Sequence, residues 1–278
     1  MDISVIIPFY KGKKYLEYLL DILDKNNNLI DEKMEVIFVN DYPEEQLVIN
    51  NSYNFDVHVI NNEVNVGIHH SRVNGLHQAK GKYILFLDQD DEITAECIKS
   101  QLEHIGNADL CIANGIMESD KESHLIYKNK RSQDYLKKQI GFIKVRDLIV
   151  SPGQCLIKKE SIPEFWKYHF LTVNCADDYM LFLLMIDKKC EFAVNYDILY
   201  THRYTGINIS NDIHQNYKSN MAMLDLIKDE LNNIDFSLLK RTIQYKYDMK
   251  LHGKIKPSIM NIDLFIYNTI YQILWKGM

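Results

Sequence analysis

One short stretch of this chain combines an unbroken apolar run with an abrupt acidic end. Residues 82–91 read K-Y-I-L-F-L-D-Q-D-D, in which five apolar or aromatic residues precede three carboxylates. The run is too short to span a membrane, and it lacks the polar positions that an amphipathic helix would show. Such a run of β-forming residues is typical of a strand that is buried on both faces, as in a parallel sheet. The stretch therefore predicts a buried strand with Asp88, Asp90 and Asp91 at its carboxyl end.

The acidic end of this strand lies where open α/β sheets bind their ligands, just beyond the carboxyl ends of the strands. Carboxylates this close repel one another unless a cation lies between them. Oxygen-only ligands favour a hard cation such as Mg²⁺ or Mn²⁺. The alternative is a solvated acidic turn, in which Asp91 caps the helix that follows. The stretch by itself leaves both interpretations open.

Bulk composition excludes several classes of protein. The 278 residues carry a formal net charge of −6, so nucleic acid is not expected as a partner. No run reaches 18 apolar residues, and the first residues read directly as a strand, so neither a membrane span nor a signal peptide is expected. Five scattered cysteines without C-x-x-C spacing indicate reduced thiols and a cytoplasmic protein.

The order of apolar runs predicts an α/β domain with a mostly parallel sheet, because strand patterns alternate with helical ones. Strand ends at Asp41 and Asp88 are then expected to face one crevice. The predicted early strands are 3–9, 35–39 and 57–60, with helices at 13–25 and 65–79. Later segments predict helices at 93–105 and 134–150, a polar loop at 118–131, short strands at 192–194 and 198–200, and helices from 211 onward.

A series of motifs in the first 210 residues is far more specific than these patterns. The chain opens with S-V-I-I-P-F-Y at residues 4–10, followed by V-N-D at 39–41 and N-x-G…S-R-x-N-x-G at 65–75. It reaches A-x-G-x-Y-I-x-F-L-D-x-D-D at 79–91, and an acidic pair lies at 177–178. This order resembles the inverting glycosyltransferases of family 2, of the bacterial polysaccharide type, which have the GT-A fold.

The resemblance implies both an architecture and an activity. A Rossmann-like GT-A catalytic domain would occupy residues 1–210, with a mostly parallel central sheet flanked by helices, and a helical extension would occupy 211–278. Such an enzyme moves a sugar from a nucleoside-diphosphate sugar, here a UDP-sugar, to a glycan or lipid-linked saccharide. The reaction inverts the anomeric carbon and uses Mn²⁺ or Mg²⁺, which stabilises the charge that develops on the diphosphate.

The same resemblance gives roles to individual residues. Asp90, with Asp88, would hold the metal. Asp178 would be the general base, because a carboxylate in reach of the acceptor hydroxyl takes its proton. Asp177 and Gln154 would lie on the acceptor side or directly behind it. The residues expected around the donor are Pro8, Phe9, Tyr10, Asn40, Asp41, Arg72, Asp88, His202 and Arg203, where Asn40 replaces an Asp of the family pattern.

Two other functions compete with this interpretation. A phosphatase of the haloacid dehalogenase type also has a D-x-D after an apolar strand, which Asp88 and Asp90 would supply. That nucleophile normally ends the first strand, however, and three predicted strands precede Asp88 here. A nucleotide-sugar-binding protein without catalysis is the other alternative, since Asn40 and Asp177 both depart from the family pattern.

The C-terminal segment differs from the rest of the chain in charge. From Ser237 onward it has seven basic residues and two acidic ones, a net charge of +5. Apolar side chains after Pro257 follow helical spacing, among them Ile262, Ile266 and Ile270. An amphipathic helix of this kind is suited to peripheral contact with the inner face of a membrane. The alternatives are packing on the catalytic domain or on a second copy in a homodimer.

Overall fold

The computed structural model describes residues 1–49, 53–119, 122–204 and 212–276, which form one mixed sheet with helices on both faces. The strands are β1 (Ile3–Phe9), β2 (Met34–Asn40), β3 (Asp56–Asn61), β4 (Tyr83–Phe86), β5 (Glu92–Ile93), β6 (Leu110–Glu118), β7 (Ser123–Leu125), β8 (Cys155–Lys158) and β9 (Phe192–Arg203). The helices of more than one turn are α1 (Lys13–Asn27), α2 (Ile68–Gln78), α3 (Cys97–Ile105), α4 (Lys130–Asp134), α5 (Ile140–Lys144), α6 (Glu164–Tyr168), α7 (Asp177–Asp187), α8 (Ile213–Ile227), α9 (Phe236–His252), α10 (Ile255–Met260) and α11 (Ile262–Tyr271).

The sheet confirms the predicted α/β class and its largely parallel character. Its order is β3-β2-β1-β4-β8-β6-β9-β5, with β7 paired to the carboxyl end of β6. The first four strands in this order are parallel, and so are β6 and β9. Antiparallel ladders are short, such as the one in which Ile84 of β4 pairs with Ile157 of β8. Most of the paired residues therefore lie in parallel ladders.

The side chains of β1 show why both faces of the sheet must be covered. Successive side chains of a strand point to opposite faces. Val5 and Ile7 pack with Leu23 of α1 in one core cluster, whereas Ile6 packs with Val73 of α2 in the other. Every residue of β1 and β2 is buried. These strands thus read as apolar runs because helices cover them on both sides.

The carboxyl ends of three parallel strands meet at one edge of the sheet. Phe9 of β1 pairs with Asn40 of β2, and the amide of Leu87, just beyond β4, donates to the carbonyl of Ile6 at 3.0 Å. Gly81 allows β4 to start close to β1, since a Cβ atom there would lie 2.5 Å from the Ser4 nitrogen. Asp88 therefore follows β4 at the edge where β1 and β2 also end.

Several predicted segments differ from the observed structure. Residues 118–131 were expected to be a loop, but β7 pairs with β6 there and Tyr127 is buried, with its hydroxyl donating to Leu148. The strands expected at 192–194 and 198–200 form the single strand β9. A bulge lies between them, because Ala113 of β6 pairs with Asn195 and the next residue of β6 pairs with Ile198. This bulge interrupts the apolar alternation and makes one strand look like two.

The C-terminal helices share a core with the sheet. Leu224 and Ile227 of α8 and Ile243 of α9 belong to the same buried cluster as Phe182 of α7. The predicted boundary after residue 210 lies outside the described residues, so the division into two units stays a prediction. Among the described helices, none combines the length and apolar character needed to cross a membrane.

Candidate active site

A buried arginine joins two of the acidic motifs. Arg72 of α2 donates from Nη2 to Asp88 and from Nη1 to Asp177, each at 2.6 Å, and its side chain is only 3% exposed. Burial lowers the pKa of Arg72, but the charges of Asp88, Asp177 and Asp178 raise it overall. Arg72 therefore stays charged and holds the carboxyl end of β4 against the first turn of α7.

Asp178 is the second residue of α7, directly after the aspartate that Arg72 binds. Burial raises the pKa of the Asp178 carboxyl well above its usual range, and the charges of Asp147 and Asp177 raise it further. The charge of Arg72 acts in the opposite direction. A raised pKa makes this carboxylate a stronger proton acceptor, which is the property that a general base requires.

Asp147 is a second carboxyl group beside Asp178, and sequence analysis missed it. Burial raises the pKa of Asp147 to about 7, against the charge of Arg146. The expected helix over 134–150 would have made this residue an ordinary helix charge. Instead, α5 ends at Lys144, and Arg146 has a φ of 94°, which no helix allows. No local sequence signal distinguishes Asp147, because the turn that brings it to Asp178 depends on packing from other elements.

Asp91 does not cap a helix, contrary to the alternative weighed from the sequence. It is buried, and it accepts hydrogen bonds from the Tyr200 hydroxyl and from Nδ1 of His202, the latter at 2.9 Å. Helix α3 begins only at Cys97. Burial lowers the pKa of His202, but the hydrogen bond to Asp91 and the surrounding carboxylates raise it overall. Asp91 thus orients His202 so that its other ring nitrogen remains available to a ligand.

Asp90 is a carboxylate of this turn whose charged form is disfavoured. Burial raises its pKa to about 6, with further contributions from the charges of Asp91 and Asp88. Asp88 itself is bound by Arg72 and, at 3.3 Å, by the Ser151 hydroxyl. A cation next to Asp90 would offset this repulsion.

The donor set fits a hard cation that is shared with a substrate. The described residues contain no group of three or more His, Cys, Asp or Glu side chains placed to hold a metal. Mg²⁺ typically binds proteins through one or two carboxylates and takes its remaining ligands from substrate phosphates and water. Asp90 and Asp88 supply two such carboxylates at the end of one strand, so they suit a metal–diphosphate complex.

Two aromatic rings, one exposed and one partly buried, lie beside the end of β1. The ring of Tyr10 meets that of Tyr42 edge-on at 5.5 Å, and the Lys11 ammonium lies 4.8 Å from the centre of the Tyr42 ring. The side chain of Gln89 bonds to both the amide and the carbonyl of Tyr10, at 2.9 Å each, which ties this edge to the acidic turn. A pocket next to these rings is lined by residues that include Phe9, Lys11, Asn40, Tyr42 and Leu47. Lys11 and Tyr42 were not singled out from the sequence.

Asn40 and Asp41 hold the loops around this pocket. The Asn40 amide donates to Glu45 and Asn61, at 2.8 Å each, and its oxygen accepts from the amide of Tyr42. The Asp41 carboxylate accepts from the amides of Val66 and Gly67 at 2.8 Å. Gly67 has a φ of 87°, which glycine adopts readily and which starts α2 after this turn. These bonds give the N-D and N-x-G motifs a structural role. Contact of Asn40 and Asp41 with a donor stays a prediction.

The remaining predicted residues occupy different environments. Pro8 and Phe9 are buried within β1. Gln154 is fully buried and accepts from the amide of Val150, so it supports the loop behind Asp88 rather than contacting an acceptor directly. Arg203 is half exposed and pairs with Glu92 and Glu118, apart from the Arg72 cluster.

A basic and aromatic pocket lies near the Asp178 side of the candidate site, since Arg146, the chain neighbour of Asp147, lines it. The rings of Tyr217 and Tyr247 stack at 4.0 Å, and the pocket that they line also includes Arg146 and Lys250. Burial lowers the pKa of the Lys250 amine, and the charge of Arg146 lowers it further. The pocket is linked to the segment just before α7 because Asn216, another lining residue, donates to the sulfur of Cys175 at 3.2 Å.

Comparison with known proteins gives consistent results. The model of "Glycosyl transferase family 2" matches residues 4–166. An uncharacterised glycosyltransferase of Haemophilus influenzae is 38% identical over 37% of this chain and 34% of its own length. Another from Rickettsia prowazekii is 29% identical over 97% of this chain and 81% of its own. The chain therefore spans about a third of the first relative and most of the second.

Solved structures share the fold at low sequence identity. Residues 1–349 of Staphylococcus aureus TarS in complex with UDP-GlcNAc superpose with a TM-score of 0.61 at 18% identity, covering 99% of this chain and 82% of that one. A mannosyltransferase of Pyrobaculum calidifontis in complex with GDP-Man and Mn²⁺ gives a TM-score of 0.55 at 12% identity, covering 90% and 70%.

Proposed function

Because this chain belongs to glycosyl transferase family 2, we propose that it moves a sugar from a UDP-sugar to a saccharide acceptor with inversion at the anomeric carbon. The observation that carries the proposal is the Arg72 bridge between Asp88 and Asp177. This bridge holds the carboxylates expected at the diphosphate near the carboxylate expected at the acceptor. Direct displacement needs both groups of carboxylates, because the leaving group departs on one side of the sugar and the acceptor hydroxyl arrives on the other.

The residues divide between the two sides of the reaction. On the donor side, the Tyr10 and Tyr42 rings would bind the base, and His202 would donate a hydrogen bond to the diphosphate. Asp90 and Asp88 would hold Mn²⁺ or Mg²⁺, which when bound neutralises charge on the departing diphosphate. On the acceptor side, Asp178 would take the hydroxyl proton.

The acceptor is proposed to bind in the basic and aromatic pocket. Stacked Tyr217 and Tyr247 offer flat rings of the kind on which sugars pack, and Asn216 of the pocket bonds to Cys175, three residues before Asp178. Glycans and lipid-linked saccharides both present sugar rings that could pack on these tyrosines. The TarS relative is named as a poly(ribitol-phosphate) β-N-acetylglucosaminyltransferase, and Arg146 and Lys250 give this chain the charge to accept an anionic saccharide too. Five unpaired cysteines support a cytoplasmic location for the reaction.

Product analysis separates transfer from the phosphatase alternative. The protein would be incubated with UDP-GlcNAc, other UDP-sugars and GDP-mannose, with Mn²⁺ and a mixture of saccharides. Release of free nucleoside diphosphate that depends on the saccharide supports transfer. Release of inorganic phosphate from a sugar phosphate, without nucleoside diphosphate, would instead support the phosphatase. A donor that binds but is never consumed would identify a binding protein without catalysis.

Donor binding is expected to require Mn²⁺ held through Asp90. In a thermal-shift screen, the productive nucleotide sugar should raise the melting temperature of the wild type only with Mn²⁺, because a ligand that binds the folded state stabilises it. Asp90→Asn should lose this Mn²⁺-dependent shift, since an amide is a poorer ligand for a hard cation. Exposed Asp229 gives a matched control, as Asp229→Asn removes one carboxylate outside the acidic turn. An unchanged Mn²⁺-dependent shift in Asp90→Asn would remove Asp90 from the metal site.

The rate of transfer is expected to fall at a higher pH than it would with an ordinary aspartate as the base. The base must be deprotonated, and burial together with the charge of Asp147 raises the pKa of Asp178, so rate is lost as pH drops through this raised pKa. Asp147→Asn removes the neighbouring negative charge and should move the acid limb of the pH–rate profile to lower pH. An unshifted limb in this variant would show that Asp147 does not influence the base.

A further inference from the structure

The C-terminal helices expose an apolar surface although their other side packs on the catalytic domain. In α11 the inner positions are Leu264, Asn268 and Tyr271, which are buried. Asn268 donates to the carbonyl of Lys144 at 2.9 Å, which anchors the helix next to α5. This packing accounts for one side of α11 and leaves the opposite side facing outward.

The outward side of α11 carries a continuous apolar stripe. Its members in α11 are Ile262 and the residues three, four and eight positions after it, which places them on one face of the helix, and Ile273 follows in the π-helical turn Gln272–Lys276. Each of these side chains is between 41% and 63% exposed. Helix α10 adds three more exposed apolar side chains. We call this set the C-terminal apolar face; it consists of Ile255, Ile259, Met260, Ile262, Phe265, Ile266, Ile270 and Ile273.

The charges around this face are positive. Lys254 and Lys256 flank Ile255, and both are exposed. The one acidic residue in the α11 sequence, Asp263, is bound by Arg241 of α9. The segment from Ser237 has a net charge of +5, although the whole chain has −6. An exposed apolar surface of this extent marks an interaction site, and its basic surroundings indicate an acidic partner.

We propose that the C-terminal apolar face docks on an anionic phospholipid bilayer. Isoleucine and phenylalanine would enter the boundary between headgroups and acyl chains, and Lys254 and Lys256 would contact the phosphate groups. A second copy of the chain is a poorer occupant. A two-fold interface pairs identical patches, which would bring two segments of charge +5 together.

Docking would also orient the active site. Helix α11 is bonded to Lys144, and the chain runs from there directly into Arg146 and Asp147, beside Asp178. The acceptor side of the candidate active site would thus lie nearer the bilayer than the donor side. This arrangement suits a lipid-linked acceptor, but membrane docking itself does not depend on the proposed transfer reaction.

Flotation with liposomes tests the docking. Full-length protein would be mixed with vesicles of phosphatidylcholine containing about 30% phosphatidylglycerol, at about 50 mM and about 500 mM NaCl. The wild type should float with the vesicles at low salt and less at high salt, because exposed charges are screened. Ile262→Gln/Ile266→Gln/Ile270→Gln should lose binding about 100-fold, since each change removes several inserted methylene groups. Lys254→Gln/Lys256→Gln should lose about 30-fold.

Matched controls distinguish binding through this face from nonspecific hydrophobic binding. Val48→Gln/Val64→Gln removes two apolar side chains that are 63% exposed elsewhere, and it should float as the wild type does. Donor-induced thermal shifts should be unchanged in the isoleucine variant, which confirms folding and keeps the test separate from the transfer reaction. Two results would overturn the proposal. One is wild-type protein that stays in the soluble fraction with anionic vesicles. The other is a lipid-free wild-type dimer that the isoleucine variant converts to monomer, which would make this face a subunit interface.

Discussion

Asp178→Asn is expected to lower kcat by about 10²–10⁴-fold, the usual share of general base catalysis. Asparagine has nearly the same shape as aspartate but cannot accept the hydroxyl proton. Asp178 is also not one of the two carboxylates that are proposed to hold the metal. Binding of the donor, measured by its Mn²⁺-dependent thermal shift, should therefore persist in the variant.

The stereochemistry of the product provides an independent check on this role. A single displacement assisted by a base inverts the anomeric carbon, and NMR of the first product distinguishes inversion from retention. A product that keeps the donor's configuration would contradict the mechanism. A variant rate within about tenfold of the wild type would assign the base to another group, for which the neighbouring Asp147 is a candidate.

Arg72→Met is expected to destabilise the protein by about 3–5 kcal/mol, the usual cost of removing one partner from a buried ion pair. The wild-type guanidinium is buried and bonds to two carboxylates at once. Removing it leaves Asp88 and the buried Asp177 without their counter-charge, and this loss exceeds the packing that methionine restores. Urea unfolding followed by circular dichroism measures the change in the free energy of unfolding.

Two further variants calibrate the Arg72 result. Arg72→Lys keeps the charge but loses the planar fork that reaches both carboxylates, so an intermediate loss is expected. Arg241→Met breaks an ion pair with Asp263 whose side chains are each about half exposed, and it should cost at most about 1 kcal/mol. Equal stability of Arg72→Met and Arg241→Met would show that the bridge does not support the fold. If Arg72→Met does not fold, Arg72→Lys still tests the bridge.

The sequence by itself determined the α/β class, the family and the edge of the sheet at which Asp88 follows β4. Strand β4 was predictable because a strand that is buried on both faces needs an unbroken apolar run. Such a run is visible in the few residues before Asp88. The ends of β1, β2 and β4 were predictable because alternating strands and helices build a parallel sheet. The motifs that identify the family are local as well, since the turn after β4 and the loop before α2 each lie within a few residues of chain.

Only the tertiary structure decided which side chains form hydrogen bonds with each acidic group. Arg72 lies 16 residues from Asp88 and 105 from Asp177, and Tyr200 lies 109 residues from Asp91. The sequence likewise did not place Asp147 beside Asp178, or show that α11 packs one face on the domain and exposes the other. Local patterns specify which face of an element is buried, whereas the contacts across elements depend on strand order and helix packing. In this chain β4 is followed in the sheet by β8 and β6, and that order brings together residues from distant parts of the chain.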